Sequence, residues 1–473
     1  MNDSLTAATP APPLGNGALP ASLDAMRRYF AGGATRSYEF RKKQLRTIQQ
    51  AVKQYEKDIA DALYKDLKKS PEEAYASETG LLLAEIRVAL KHLRGWMHAQ
   101  RVSTDLANFP SSATVYRDPL GVVLIIAPWN YPLQLLLIPM ISAIAGGNCI
   151  VLKPSEAAPA TAALVEKLIG ACFDSRYIKV VQGDGAAIVP AMMNTFRFDH
   201  VFYTGSVGVG RSIYQLAAAK LVPVTLELGG KSPAIVEADA DIATAAKRIV
   251  LGKFLNTGQT CVAPDYVLAH ASVKDKLVEA LKTTIRQFYG ADAAASYDYG
   301  RIINARRFDK LVSYLDQGRV LYGGQYNKEE LFIAPTLVEQ AAADSPLMTE
   351  EIFGPILPVL SFANDEEARQ IVERNPNPLA FYLFTGSSAK EQEWISAVSF
   401  GGGCINNTAW YFTNHYIPFG GVGNSGLGAY HGKYGFDTFT RLKPVLKTPN
   451  WFDPAIKYPP FKGKLKILRW LIR

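Results

Sequence analysis

Apolar residues stand at positions 40, 45, 48, 52, 55, 59, 63 and 67. Spacings of three to five predict one long amphipathic helix from Phe40 to Leu67. Ser70-Pro71-Glu72-Glu73 opens a second helix: Ser70 is a good N-cap, Pro71 suits the first helical position and Glu73 completes a capping box. Beyond about residue 110 the pattern changes. Short apolar runs at Val122–Ala127, Cys149–Leu152, Ile178–Val181, His200–Tyr203, Val224–Leu226 and Ala234–Val236 alternate with helical stretches at Pro132–Ala145, Pro159–Ala171 and Val207–Ala219. This alternation predicts a doubly wound parallel sheet in an α/β fold. A second such region follows Gly230, with strands near Tyr266–Ala269, Thr336–Val338 and Leu357–Phe362. The Gly229-Gly230 pair suggests the boundary. The body contains no internal repeat and no low-complexity linker.

At 473 residues the chain is long enough for two or three domains. Its four cysteines are scattered, with no CxxC and no histidine clustering. That argues against a metal site or a disulfide framework and fits a reducing, cytoplasmic setting. Residues 1–20 are rich in Ala, Pro and Gly. They lack the basic and apolar regions of a signal peptide and read as a disordered leader. No run of 18 apolar residues exists; Leu133–Ala145 comes nearest and contains Pro139. The net charge of +8 is concentrated in residues 457–473, which carry six basic residues and no acidic one. The rest is close to neutral, so the basic pI does not imply nucleic-acid binding by the whole protein, and none is expected. The basic tail is also apolar, with Phe461, Leu465, Ile467, Leu468, Trp470, Leu471 and Ile472 among its cations. Gly463 and the short length disfavour an isolated helix. Two destinations stay open for it: an anionic membrane surface, or packing on the body or across a dimer seam.

Gly258-Gln259-Thr260-Cys261 places one thiol in a polar turn, and the carboxylate Glu227 lies 34 residues upstream. A thiolate is a nucleophile, and a nearby carboxylate can take a proton from it or from water; a buried structural thiol is the plainer alternative. Asn130, in Pro128-Trp129-Asn130-Tyr131-Pro132, follows a strand. It is either an amide donor for an oxyanion or a cap of the turn. Lys153-Pro154-Ser155-Glu156 follows the next strand, with side chains that can reach ribose hydroxyls or form a solvated ion pair. Gly205-Ser206-Val207-Gly208-Val209-Gly210 is not the GxGxxG fingerprint. It is either a tight turn or a helix N-terminus offered to a phosphate. Glu350-Glu351-Ile352-Phe353 pairs acids with an aromatic, and Pro418–Gly426 is a glycine-dense loop.

In this order the motifs resemble the aldehyde dehydrogenase superfamily, from about residue 22 to residue 445. GQTCVAPDY (258–266) and PFGGVGNSGLGAYHGKYGFDTFTR (418–441) look like its class 3 branch, which includes dimeric enzymes and oxidisers of fatty or aromatic aldehydes. The resemblance implies a Rossmann-like cofactor domain over 21–229, with an excursion near 103–120 to a small bridging element. It further implies a catalytic α/β domain over 230–410, a bridging and oligomerisation segment over 411–449, and the tail over 450–473.

It implies roles as well. Cys261 is the expected nucleophile, Glu227 the general base, and Asn130 with the backbone N–H of Cys261 the oxyanion hole. Lys153 and Glu156 would meet the adenosine ribose, Ser206 the pyrophosphate, Glu351 the nicotinamide ribose and Phe353 its ring. Trp129, Ser155 and Gly205 join the cofactor side; Tyr131, Leu251 and Phe419 line the expected substrate pocket. Leu251 stands where the mammalian aromatic-aldehyde enzyme has Trp, which favours aliphatic chains. The expected activity is oxidation of an aldehyde to its acid with NAD, NADP being tolerated, in a homodimer. The rivals are a coenzyme A-acylating enzyme and a non-catalytic structural or membrane-surface protein of the same fold.

Overall fold

The computed structural model describes residues 18–472. The leader expected over 1–20 therefore lies outside the described residues, except for its last three, which open the helix Ala18–Ala31.

The first large sheet runs Ile178–Val180, Cys149–Lys153, Val122–Ile126, His200–Thr204, Val224–Glu227, all parallel, and Gly426–Leu427 closes it antiparallel. Val122–Ile126 and Cys149–Lys153 are buried at every position, as strands with helices on both faces must be. The covering helix Gln134–Gly146 is likewise buried along its whole length, so its apolar residues face all directions rather than one stripe. Chain order within the sheet reverses between Val122–Ile126 and His200–Thr204. This is the topological switch point, where open α/β sheets leave a crevice.

The second sheet has seven strands, ordered Arg319–Tyr322, Thr336–Glu339, Ile356–Phe362, Tyr266–His270, Pro233–Val236, Ala380–Phe384, Gly402–Ile405. Only Arg319–Tyr322 is antiparallel. A third, antiparallel sheet joins Gln100–Val102, Ser112–Pro119 and Thr440–Lys447. The segment expected as one bridging unit over 411–449 is therefore divided. Gly426–Leu427 belongs to the first sheet, and Thr440–Lys447 to the small one.

The long helix expected over Phe40–Leu67 is two helices, Tyr38–Gln54 and Glu56–Leu67, hinged at Tyr55. The first packs on Gly80–Trp96 and the second on Pro159–Cys172, and the hinge lets each follow its own partner. Ser70 caps as expected, its hydroxyl accepting from the Glu73 N–H at 3.2 Å. The Glu73 carboxylate does not complete the box. It reaches out of the helix and accepts the N–H of Asn256 at 2.8 Å.

Candidate active site

Four loops leave the carboxyl edge of the first sheet around the switch point: Pro128–Tyr131, Lys153–Glu156, Gly205–Ser206 and Leu228–Gly229. A cavity of about 560 Å³ opens there. Its wall gathers Trp129, Asn130, Gly205, Ser206 and Glu227 from this sheet, and Cys261, Glu351 and Phe353 from the second. Trp129 meets Phe353 edge to face, with ring centroids 5.3 Å apart. Eight residues singled out in the sequence thus converge on one space, between the two sheets.

The loop carrying Cys261 is held in an unusual backbone conformation. Asn256 (φ 52°), Thr257 (φ 55°) and Gly258 (φ 75°) are consecutive left-handed residues, and Thr257 is β-branched. A Cβ on Gly258 would lie 2.3 Å from the Gly354 carbonyl oxygen, so the thiol loop packs directly on the backbone that presents Phe353. Side-chain clamps hold this form. The Asn256 amide donates to the carbonyls of Asn130 (2.8 Å) and Gln259 (3.2 Å), and Gln259 bonds Asn256, Arg301 and Ile303. Asn130 donates one amide hydrogen to the Gln259 carbonyl at 2.9 Å, which leaves its other hydrogen for a substrate oxygen.

Glu227 is buried, and both its carboxylate oxygens lack a hydrogen-bond partner. Burial pushes its carboxyl well above the usual range. Burial, with the charges of Glu351 and Glu227, pushes the Cys261 thiol up to about 12. A resting thiol that stays protonated beside an unpartnered carboxyl is suited to give up its proton only as it attacks. Glu351 is raised to about 8 by burial and Asp265, against the Gly230 N–H, Arg307 and Lys231. Gly229 gives it room: a Cβ there would lie 2.1 Å from the Glu351 carboxylate and push that side chain aside.

The helix Val207–Ala218 starts at the cavity wall. Its N-cap, Ser206, makes no side-chain cap bond, and its first turn carries no acidic residue. Its leading N–H groups are therefore free for an anion, which fits a dinucleotide pyrophosphate.

Other expected residues lie elsewhere. Lys153 is buried and pairs with Glu156 at 2.8 Å at the neighbouring strand end; Glu156 also accepts the Gly185 N–H at 3.1 Å. The Ser155 hydroxyl turns back to the Ala157 N–H. None of the three lines the cavity. Tyr131 is a support rather than a pocket wall: it is buried, and its hydroxyl bonds Thr260 at 2.7 Å. Leu251 is 40% exposed on the helix Ile242–Phe254 and also lines no part of the cavity. Phe419 stacks between Tyr411 and His431. Burial raises the Tyr411 phenol, with smaller contributions from Cys261, Cys404 and Glu227; this aromatic wall shares their surroundings, and neither ring lines the cavity.

Sequence reading missed the supports. Lys69 and Glu78 form a fully buried ion pair at 2.7 Å. The Lys69 ammonium also donates to the Asn130 carbonyl (3.1 Å) and lies 4.1 Å over the Tyr131 ring. Glu78 accepts the N–H groups of Leu133 and Gln134 (2.9 and 3.2 Å). A π-turn at Tyr75–Thr79 carries Glu78 inward; such turns interrupt helices mostly at functional sites. Arg307 was missed too. It lines the cavity and donates to the carbonyls of Ile352 and Phe353.

The sequence model of the Aldehyde dehydrogenase family matches residues 15–445. The chain belongs to that family. It is a class 3-like aldehyde dehydrogenase, an oxidoreductase. It is 46% identical over 445 residues to 4,4'-diaponeurosporen-aldehyde dehydrogenase of Staphylococcus aureus, covering 94% of this chain and 96% of the relative. With aldehyde dehydrogenase family 3 member H1 of Arabidopsis thaliana it shares 43% over 453 residues (94% and 93%). With the rat aldehyde dehydrogenase described as dimeric and NADP-preferring it shares 41% over 441 residues (93% and 97%). Among solved structures, a substrate-bound state of Staphylococcus aureus AldH superposes with a TM-score of 0.94 at 44% identity, covering 96% of this chain and 99% of that one. Betaine aldehyde dehydrogenase from Staphylococcus aureus, in complex with NAD+, gives 0.80 at 28% identity (92% and 89%).

The buried pair gives this aldehyde dehydrogenase a testable support. Lys69→Met leaves Glu78 uncompensated, at a cost of about 3–5 kcal/mol. It also removes a donor from the Asn130 carbonyl. Lys69→Met should therefore lower both the melting temperature and kcat, the latter about tenfold. Lys69→Met/Glu78→Gln should recover much of the melting temperature and little of kcat. Parallel recovery of both would reduce the pair to a folding element.

Proposed function

We propose that this aldehyde dehydrogenase oxidises medium- or long-chain aliphatic aldehydes to carboxylic acids, with NAD as the preferred acceptor. The carrying observation is the convergence of Cys261, Asn130 and an unpartnered Glu227 on one cavity. Cys261 attacks the aldehyde carbon as its thiolate, its proton released to solvent, and Glu227 stays free to act as a base later. The free amide hydrogen of Asn130 and the Cys261 N–H hold the oxyanion of the thiohemiacetal, where one such donor is worth about 3 kcal/mol. Loss of a hydride from this adduct leaves Cys261 as a thioester; a nicotinamide held against Glu351 and Phe353 would supply the acceptor. Glu227 then takes a proton from the water that hydrolyses the thioester and frees the acid.

A base with no partner but substrate or water supports hydrolysis over transfer to coenzyme A. The stacked aromatic wall of Tyr411 and Phe419, in the surroundings of the thiol though outside the cavity lining, supports an apolar aldehyde. The Staphylococcus aureus relative is named for 4,4'-diaponeurosporen-aldehyde as its substrate, and we take this as support as well. Leu251, exposed on its helix, adds nothing to that choice.

A panel of hexanal, decanal and benzaldehyde, each with NAD and NADP and with or without coenzyme A, tests the reading. NADH formation that is fastest with decanal and indifferent to coenzyme A is expected. Product formation only with coenzyme A, or no turnover of any aldehyde, would refute it.

The choice of cofactor rests on Glu156. It lies outside the cavity wall, paired with Lys153, and a ribose reaching that strand end would meet a charge that accepts from a 2′-hydroxyl and repels a 2′-phosphate. Glu156→Gln should lower KM for NADP about tenfold while changing KM for NAD far less. An unchanged NADP constant would remove Glu156 as the discriminator. A homodimer is proposed as well. Its support is the outer strand Thr440–Lys447, which has one open edge and exposes Leu442, Val445 and Leu446. The four free cysteines support a cytoplasmic setting.

A further inference from the structure

The family match ends at residue 445, and the chain continues for another 28 residues. After Thr440–Lys447 it folds back on itself. The Lys464 ammonium ties the segment by donating to the carbonyls of Ala455 and Tyr458, both at 2.8 Å, and the helix Leu465–Leu471 follows. Leu468 and Leu471 are half-buried and turn toward Phe109, Phe452 and Ile456. Between this helix and the loop Leu106–Phe109 lies an apolar groove of about 400 Å³. The outward side is apolar too. Trp470 is 60% exposed, Trp451 76% and Ile472 73%, and Phe461, Leu465 and Ile467 are each more than half exposed. The cations Lys457, Lys462, Lys466 and Arg469 form no salt bridge among the described residues.

We propose that this face docks on an anionic lipid bilayer, lying in the headgroup layer with Trp470, Ile467 and Trp451 inserted and the lysines at phosphate level. Charge selects this occupant. Residues 457–473 carry six basic residues and no acidic one, which matches a negative surface. A twofold seam through the same face would bring two such segments together, like charge against like. The arrangement of side chains fits as well. Tryptophan settles at membrane–water boundaries, and lysine stems lie along apolar surface while their ammonium groups stay wet. The helix is seven residues long, and no described helix is long and apolar enough to cross a membrane, so the segment lies on the bilayer and does not span it. Docking would bring an enzyme for long apolar aldehydes to the phase that dissolves them. The contact itself needs no substrate, so its failure would leave the aldehyde reading standing.

The test uses the full chain with sucrose-loaded vesicles of phosphatidylcholine alone or with 40% phosphatidylglycerol, at 0.1 M and 0.5 M NaCl. Sedimentation is expected with the anionic vesicles only, with release at high salt. Each cation at the surface strengthens such binding roughly fivefold. Lys462→Glu/Lys466→Glu/Arg469→Glu should therefore abolish it. Ile467→Ser/Trp470→Ser changes exposed side chains only. It should weaken binding more than tenfold while leaving the oxidation rate of hexanal in vesicle-free buffer and the oligomeric state unchanged. Three results would overturn the proposal: no sedimentation of the wild type with anionic vesicles, equal sedimentation of both variants and wild type, or dissociation of the oligomer by Ile467→Ser/Trp470→Ser. The last would make the face a subunit seam.

Discussion

Cys261→Ala should abolish aldehyde oxidation, lowering kcat by more than about 10⁴-fold, with NAD affinity close to that of the wild type. The thiol is the group on the cavity wall that can form a covalent adduct, whereas the helix N-terminus at Ser206 is what would hold the phosphates. The other cysteines serve as controls. Cys149 is buried in a strand, its thiol pushed up to about 12 by burial, and Cys172 ends a helix away from the cavity. Cys404 stands behind the aromatic wall, near Tyr411. Their alanine variants should remain active. An active Cys261→Ala enzyme beside a dead Cys404→Ala one would reverse the assignment. Nucleotide titration by fluorescence quenching, run alongside NADH formation, separates lost chemistry from lost binding.

Glu227→Gln should divide the reaction in two. Acylation and the first hydride transfer persist, giving a burst of NADH, while thioester hydrolysis slows about 10²- to 10⁴-fold. Loss of the burst would mean that Glu227 serves mainly to deprotonate Cys261. The raised carboxyl has two further consequences of definite sign. A base must be ionised to act, so the wild-type steady-state rate should rise with pH from the acid side, and the mutant's slow phase should not follow that rise. Stability moves the other way. A carboxyl raised above its ordinary 4.5 keeps in the folded state a proton that the unfolded chain loses. Its stabilisation is complete below about pH 4.5 and is lost as pH rises through the raised value. The melting temperature of Glu227→Gln should therefore fall less between pH 6 and pH 9 than that of the wild type. An equal fall in both would place the titration elsewhere, with Glu351 and its value of about 8 the next group to test.

The parallel strands were legible because a strand covered on both faces must be apolar throughout, and Val122–Ile126 and Cys149–Lys153 are short unbroken apolar runs. The strands of the small sheet were not. Ser112–Pro119 and Thr440–Lys447 are partly exposed and rich in charge, so their pairing over eight residues leaves little mark on either segment alone. Gly402–Ile405 begins with two glycines, a poor local signal for a strand that gains its order from Ala380–Phe384 beside it. The reacting groups could be read from motifs, since Cys261 and Asn130 stand in recognisable turns and Glu227 ends a strand just before Gly229-Gly230. Their supports could not. Lys69 sits in Lys68-Lys69-Ser70 and looks like a surface cation; its partner Glu78 and its target Asn130 come together only in the folded chain. Glu73 has the right spacing for a capping box, and no local rule discloses that Asn256, far along the chain, takes its carboxylate.

The strand that ends in Glu227 acquires its outer neighbour very late. Gly426 pairs with Glu227, and the Leu228 N–H donates to the Ser425 carbonyl at 3.0 Å. On a translating ribosome those partners emerge about 200 residues after the base itself, a delay of roughly 10–40 s at ordinary elongation rates. Through that interval a nascent chain can already carry the nucleotide-binding strands and, later, the thiol, yet its hydrolytic half-site is not walled in. A chain stopped near residue 415 lacks that outer strand and also the buried Phe419, Tyr430, Phe436 and Phe439, so the base is walled in and the core is closed by the same late segment.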